Sequence, residues 1–426
     1  MLPGPDLNEW LALLEVRHPK AIDLGLDRCR IVWERMGQPQ PARELFMVAG
    51  TNGKGSTVAT LCALLEALGY RYGSYTSPHI LRFNERVRIS GIPVSDPELV
   101  DAFEQVEAAR GDVSLSYFEF STLAAFRILS GADLDFVVLE VGLGGRLDAV
   151  NLLDAHCAVI TPIGLDHQEY LGDDLESIGY EKAGIMRPGR PVVIGEPEPP
   201  ASILQRAASL DAPLKRLGKD FNVEPSNGGM RFCMNGTKLM LPEPNLAGPH
   251  QLGNAATAIA ALLQLIPGAI SEQVALANGM KQVRLSGRLE RVAEHPAVWI
   301  DVGHNPMAAR AIATALRQIM ASEQLQNLRC VLGLLADKDA RAVAEELDSL
   351  MTSWYCAGLS GPRGQSGEEL AQRLRHVNQP AGLRVFDTVN EALQAALQDS
   401  AKEDGVLVFG SFLTAEEAFK TMREGL

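Results

Sequence analysis

Cysteine is sparse and scattered: Cys29, Cys62, Cys157, Cys233, Cys330 and Cys356 are spread over 426 positions with no CxxC spacing. That scatter excludes a disulfide-stapled scaffold and a cysteine zinc site, and it points to a reducing compartment. No apolar run approaches the roughly 18 residues that a membrane-spanning helix needs. The opening MLPGPDLNEW has no basic stretch followed by an apolar one, so a cytoplasmic chain with no membrane partner is expected. Positive charge is in deficit, with 39 Lys and Arg against 53 Asp and Glu, a formal net charge of -14. A surface of that sign repels polyanions, which argues against nucleic acid as a partner while leaving room for a small positive pocket. There is no fixed-period repeat and no low-complexity tract, which excludes a solenoid.

What is present is an ordinary globular composition, 46% hydrophobic and 22% charged. At about 150 residues per domain the length implies two large domains or three small ones. Between Trp10 and Glu34 apolar residues recur at helical spacing, interrupted at Ile22-Asp23-Leu24-Gly25-Leu26, which predicts two helices joined by a loop. Leu45 to Ala49 reads as a buried strand, and Leu61, Leu64, Leu65 and Leu68 form the stripe of a helix closed by Gly69. Phe136 to Val141, Ala158 to Ile163 and Pro191 to Ile194 read as further buried parallel strands, with a helix over Thr122 to Leu129. From Ala201 to Pro244 the pattern breaks into short pieces rich in Pro, Gly and Asn, compatible with hairpins and irregular loops. The alternation restarts at Val298, with strands at Val298–Ile300, Cys330–Leu335, Trp354–Cys356, Leu383–Phe386 and Val406–Phe409. Helices are expected over Met307–Met320 and Ala415–Met422. The rhythm predicts a second parallel, three-layer α/β domain, with a seam near Ser286-Gly287-Arg288.

Between the first strand and its helix lies Gly50-Thr51-Asn52-Gly53-Lys54-Gly55-Ser56-Thr57. A glycine-rich turn at this place lets backbone N–H groups face phosphate oxygens at a helix N-terminus, with Lys54 bridging the outer phosphates. The strict Walker pattern is not met, because Gly55 separates the lysine from Ser56 and Val48 stands where the first glycine belongs. The plain alternative is a strand-to-helix turn with no ligand; lysine and hydroxyls in the first helical turn favour nucleotide binding. Glu140, at the end of an apolar strand and before the turn Gly142 to Gly145, sits where doubly wound sheets place ligands. Its plain alternative is a strand-end carboxylate facing solvent. Asp301 likewise ends a strand, and Gly303-His304-Asn305-Pro306 opens the next helix, where His304 could simply be a cap.

The phosphate loop resembles that of the folylpolyglutamate synthase and dihydrofolate synthase family of Mur-ligase-like amide ligases. Further stretches support the resemblance in matching order. They include Ile22–Leu26, Thr76-Ser77-Pro78-His79, Tyr117-Phe118-Glu119, Leu139 to Ala149, Leu165-Asp166-His167 and Glu181-Lys182-Ala183-Gly184-Ile185. His250-Gln251 with Asn254-Ala255, Ser286-Gly287-Arg288, and Asp301 with His304-Asn305-Pro306 complete the series. The resemblance implies a P-loop ATPase-like parallel-sheet domain over 1–286 that binds ATP and pterin, and a smaller Rossmann-like domain over 287–426 that binds glutamate.

What the resemblance implies chemically is transfer of the ATP γ-phosphoryl to a carboxylate, then attack of the L-glutamate amine on the acyl phosphate. Thr51, Asn52, Gly53, Lys54, Gly55, Ser56, Asn254, Arg288 and Asp301 would bind ATP. Ser77, Glu140 and His167 would hold Mg²⁺ at two sites, and a monovalent cation is a further cofactor of such enzymes. Ala21, Ile22, Asp23, Leu24, Ser116, Tyr117, Phe118, Glu119 and Ala149 would contact the pterin, although two adjacent aromatics before a helix also suit core packing. His304 and Ser411 would lie near glutamate, and Lys54, Lys182 and His304 would serve the chemistry. Lys182 occupies a position whose lysine is commonly carbamylated in the family; without the resemblance it reads as a surface lysine. The early loop and the Ser116–Glu119 segment resemble bifunctional bacterial members, so dihydropteroate and reduced folates are both expected substrates of a monomer. Three rivals are a synthase that only extends folates, a ligase for UDP-linked cell-wall precursors, and a nucleotide switch without amide chemistry. About fifty residues before the phosphate loop leave little room for a UDP-binding domain.

Overall fold

The computed structural model describes residues 5–20, 22–374 and 382–424. The described residues up to Asn245, together with Leu252–Val283, form one compact unit. Leu246–Gln251 and the residues from Arg284 onward form a second. No helix among the described residues is long and apolar enough to cross a membrane.

The first unit is organised by eight strands: β1 (Glu44–Ala49), β2 (Tyr72–Tyr75), β3 (Val87–Ile89), β4 (Ile92–Pro93), β5 (Phe136–Glu140), β6 (Cys157–Ile160), β7 (Val192–Ile194) and β8 (Leu214–Arg216). Their order is β4-β3-β2-β5-β1-β6-β7-β8, parallel from β2 to β8. Successive side chains of a strand point to opposite faces, and both faces here are covered. Leu45, Met47 and Ala49 enter one core with Val137, Leu139 and Ile160, while Phe46 and Val48 enter the other with Val138, Val159 and Leu61. Burial on both sides is why these strands read as unbroken apolar runs. The helices Leu7–Arg17 and Asp27–Arg35 flank the loop expected between them. The phosphate-loop helix runs from Lys54 to Ala67.

The predicted strand ending at Ile163 stops at Ile160, because Pro162 has no N–H to donate to a ladder. The segment read as hairpins and loops opens instead with a helix, Ala201–Ser209. Its start signal is remote: the backbone N–H groups of Ala201 and Ser202 donate to the Glu176 carboxylate at 2.8 and 2.7 Å. β8 then joins the edge of the large sheet. The strands β9 (Phe221–Ser226), β10 (Gly229–Met234) and β11 (Thr237–Leu241) form an antiparallel meander. Its Phe221, Phe232 and Leu241 pack into the second core.

The second unit carries β12 (Glu290–Glu294), β13 (Ala297–Asp301), β14 (Leu328–Leu332), β15 (Ser353–Ala357), β16 (Leu383–Phe386) and β17 (Gly405–Phe409), in the order β12-β13-β17-β14-β15-β16. Five strands are parallel, as the rhythm predicts. The charged strand β12 adds an antiparallel edge that was not anticipated. Pro306–Glu323 and Phe412–Glu424 are the two expected helices, each longer than predicted.

Phe126, fully buried on the helix Tyr117–Ser130, meets the Trp33 ring edge-on at 5.6 Å. Phe126→Ala is expected to cost about 3–5 kcal/mol, measured as a lower urea midpoint for the first unit.

Candidate active site

The carboxyl ends of five adjacent parallel strands, β2, β5, β1, β6 and β7, lie at one edge of the sheet. Register aligns them: Tyr75 pairs with Leu139, Val48 with Glu140, Ala49 with Ile160, and Ile160 with Ile194. Ser77, Glu140, the phosphate loop, the His167 loop and Glu196 follow in that row, the place where open α/β sheets bind ligands.

In the phosphate loop, Gly50 has φ +148, and a Cβ there would fall 1.8 Å from the Thr161 hydroxyl oxygen. Gly53 is left-handed at φ +89, and a Cβ on it would lie 2.4 Å from the Asn254 side-chain oxygen, so Asn254 is packed over the loop. Gly55 and Ser56 are buried in the first turn of the helix. Thr51 donates its hydroxyl to Gly164 O and accepts from Gly164 N, both at 3.0 Å. The Thr51 and Asn52 N–H groups both point at Pro162 O, at 3.0 and 3.4 Å.

Two lysines meet at one acceptor. Lys54 Nζ donates to Gly50 O at 3.1 Å and to Thr51 O at 3.2 Å, and Lys182 Nζ donates to Gly50 O at 2.9 Å. Lys182 is buried rather than a surface lysine. Burial, followed by the nearby Lys54 charge, lowers it to about 7, against weaker opposing pulls from Asp166 and Asp148. Its helix, Leu175–Ala183, is docked on the glycine turn by Arg146, which donates to Glu181 at 2.8 and 3.0 Å.

Glu140 is buried, not a solvent-facing strand end, and its Oε2 accepts from Ser77 N at 3.4 Å. His167 begins the short helix Gln168–Leu171 with left-handed φ 52 and ψ 38. Asp148, given no role by the sequence reading, accepts from the N–H groups of Leu143 and Val150 at 2.8 and 2.9 Å. Burial raises it to about 6 against those bonds. Ala149, buried beside it, closes the turn.

Among the expected pterin contacts, Ala21 lies outside the described residues. Ile22, Asp23 and Leu24 form the loop before the helix Asp27–Arg35. Arg28 pairs with Asp23 at 2.8 Å and with Glu119 at 3.0 Å. Glu119 also closes a capping box with Ser116, so both side chains order the start of the helix Tyr117–Ser130. Phe118 lies over Gly142, where a Cβ would meet its ring at 2.6 Å. Tyr117 stands edge-on to Phe83, with the Arg86 guanidinium 5.5 Å from its ring. His18, which holds Asp23 at 3.2 Å and Ser114 at 2.8 Å, was missed, as was Arg28; each acts on residues distant in sequence or on a loop, which no local pattern marks.

In the second unit Asp301 is buried, and its oxygens accept from Gly303 N at 2.7 Å and Leu289 N at 2.8 Å. Burial raises its carboxyl, against the pull of Arg288. Arg288 lies 5.7 Å from the centre of the Phe412 ring. The cap of Pro306–Glu323 is Asn305, which accepts from Ala308 N at 2.9 Å; His304 is not the cap and has Nδ1 3.0 Å from Val302 O. Ser411 is buried, its oxygen 2.7 Å from the Thr414 hydroxyl and accepting from Thr414 N at 3.0 Å.

Two family models match the chain: the Mur ligase middle domain over residues 48–262 and the Mur ligase, glutamate ligase domain over 287–412. The dihydrofolate synthase/folylpolyglutamate synthase of Escherichia coli strain K12 is 43% identical over 417 residues, covering 98% of this chain and 95% of that protein. E. coli FolC in complex with DHPP and ADP has a TM-score of 0.91 at 42% identity, covering 99% of this chain and 98% of that one. A bifunctional folylpolyglutamate synthase/dihydrofolate synthase with Mn, AMPPNP and L-glutamate bound has a TM-score of 0.89 at 44% identity, covering 98% of both chains.

Because a Cβ at Gly50 would clash with both the side chain and the carbonyl of Thr161, Gly50→Ala is expected to destabilise the first unit. The cost is about 1–3 kcal/mol, read as a lower urea midpoint.

Proposed function

The chain belongs to the dihydrofolate synthase/folylpolyglutamate synthase family of Mur ligases and is a bifunctional ATP-dependent ligase of that class; we propose the residue roles that follow. It joins L-glutamate to dihydropteroate and to the γ-carboxylate of reduced folates through an acyl phosphate. The observation that carries the assignment of roles is the convergence of Lys54 and Lys182 on Gly50 O, beside Glu140, at the carboxyl ends of the parallel strands.

Phosphoryl transfer asks for positioning and charge neutralisation rather than a protein nucleophile. The phosphate loop, Thr51 to Ser56, presents backbone donors at the start of the helix Lys54–Ala67, and Lys54 turns from Gly50 O to the outer phosphates. Asn254, packed over Gly53, borders the phosphate loop, and Arg288 and Asp301 are the further residues assigned to ATP. Glu140, Ser77 and His167 suit a hard divalent cation: a buried carboxylate touching the Ser77 backbone offers oxygen donors of the kind Mg²⁺ prefers. When bound, Mg²⁺ supplies charge neutralisation at the phosphates, at two sites; a monovalent cation is a further cofactor. His304 and Ser411 serve the glutamate side. Ile22 to Leu24, with Ser116 to Glu119 and Ala149, frame the pterin. Asp23 and Glu119 do so by ordering backbone through Arg28, and Phe118 by its ring face.

The decisive assay is L-glutamate-dependent phosphate release with ATP and Mg²⁺, using dihydropteroate or a reduced folate and weighing each product. Gain of one glutamate by both is expected; gain by the folate alone would reduce the protein to a polyglutamate synthase. Lys54→Ala is expected to lower turnover at least about 100-fold while keeping its circular dichroism; unchanged turnover would remove Lys54 from the reaction.

Lys182 is the lysine proposed to carry a carbamate, since a neutral amine is the form that adds carbon dioxide. With its value lowered to about 7, the neutral fraction grows as pH rises through neutrality. Carbon-13 bicarbonate is therefore expected to give a carbamate resonance that strengthens from pH 6 to about 8. No such signal is expected in Lys182→Ala, and its persistence there would assign the adduct elsewhere.

A further inference from the structure

Glu196 stands two residues beyond β7, next in the row after the His167 loop. Its Oε1 accepts from Ile163 N at 3.2 Å. Ile163 is buried, so its N–H needs an acceptor inside the protein. Burial pushes the Glu196 carboxyl up to about 7, with that one backbone donor opposing. On the other side of the same loop, Thr51 holds Gly164 through both its N–H and its carbonyl, and Pro162 O accepts from the phosphate loop. Residues 161–164 are thus gripped from β1 by Thr51 and from β7 by Glu196. Only Leu165 and Asp166 separate Gly164 from His167, whose backbone is left-handed at φ 52.

We propose that Glu196 is a positioning residue for the divalent-cation site: through the Ile163 amide it fixes the loop that carries His167, with Thr51 as the opposing grip. This rests on the reading of His167 as a cation ligand. In this role Glu196 acts through the Ile163 amide rather than on the substrate or the cation. Its job is to offer an oxygen at a set distance, which a neutral amide can also do. Partners one layer outside a metal's ligands are commonly worth as much as tenfold or more in its affinity.

The test is Mn²⁺ binding by electron paramagnetic resonance in the presence of a non-hydrolysable ATP analogue, alongside the Mg²⁺ dependence of turnover in the full chain. Glu196→Ala is expected to weaken Mn²⁺ about tenfold and raise the Mg²⁺ needed for half-maximal rate by the same factor. The KM for L-glutamate stays unchanged. Glu196→Gln, which keeps the oxygen, returns both values to within about twofold of the parent. Glu196→Asp, which keeps the charge but withdraws the oxygen, repeats the loss and serves if the alanine variant does not fold. His167→Ala is the reference. If it leaves Mn²⁺ binding unchanged, the ligand reading fails. If it weakens binding while Glu196→Ala and Glu196→Asp do not, the positioning role is overturned. Equal loss in Glu196→Gln and Glu196→Ala would overturn it as well, by making charge the cause.

Discussion

The carbonyl of Gly50 accepts hydrogen bonds from Lys54 and Lys182 together, and the charge balance at the phosphate loop follows from that sharing. Both nitrogens lie about 3 Å from one oxygen, so they are no more than about 6 Å apart. At that separation two unit charges repel by about 3 kcal/mol at an effective dielectric near 20. Burial penalises the charged amine more, this repulsion adds to it, and Lys182 is the residue that yields, because it is the more deeply enclosed. A group that brings negative charge relieves the strain. In the roles proposed above, phosphates at the loop would do so through Lys54, and a carbamate on Lys182 would do so by replacing a cation with an anion.

The sharing is possible only because the surrounding backbone is fixed. Gly50 is the first residue past β1, a strand held on both sides by parallel neighbours. Its backbone lies so close to Thr161 that a methyl group cannot be inserted. Lys182 reaches the same carbonyl from a helix locked to the glycine turn by Arg146 and Glu181. Asp148 in turn holds the glycine turn by its backbone N–H groups. A doubly covered sheet supplies this rigidity, since each strand is anchored by side chains on both faces.

What could be read in the sequence follows from how far each signal reaches along the chain. Strands buried on both faces announce themselves as apolar runs, and β1, β5, β6 and β7 were placed to within a few residues of their observed ends. The phosphate loop was legible because its chemistry is contiguous. The helix Ala201–Ser209 was not, since its first-turn N–H groups are satisfied by Glu176, some 25 residues away. The edge strand β12 hid behind the charges of Glu290-Arg291-Val292-Ala293-Glu294. Within the site, Glu119 was legible as a residue of interest. That its carboxylate is occupied by Ser116 N and Arg28 depends on a contact 91 positions distant. Asp148 and Glu196 escaped for a similar reason: each works through backbone amides, and nothing in the local pattern marks an amide as needing help.

Those buried acids and the buried lysine set opposing demands on pH. Burial raises Asp148 to about 6 and Glu196 to about 7. Between their usual values and these, the native state holds protons that the unfolded chain has released. Stability from these two groups is therefore fully present at acid pH and is lost as pH rises toward neutrality. Lys182, lowered to about 7, has the opposite sign. The unfolded chain binds the extra proton from there up to the usual lysine range, so stability gained through Lys182 returns only as pH climbs above neutrality. Near pH 7 the unit bears both costs: its buried acids are ionising, with Lys54 the cation that eases Asp148, while its lysine is still partly charged. A divalent cation with a polyphosphate carries charge of both signs in one ligand, and whatever binds only the native state stabilises it by its full differential affinity. Burial of charge is thus what ties the stability of the first unit to pH around neutrality.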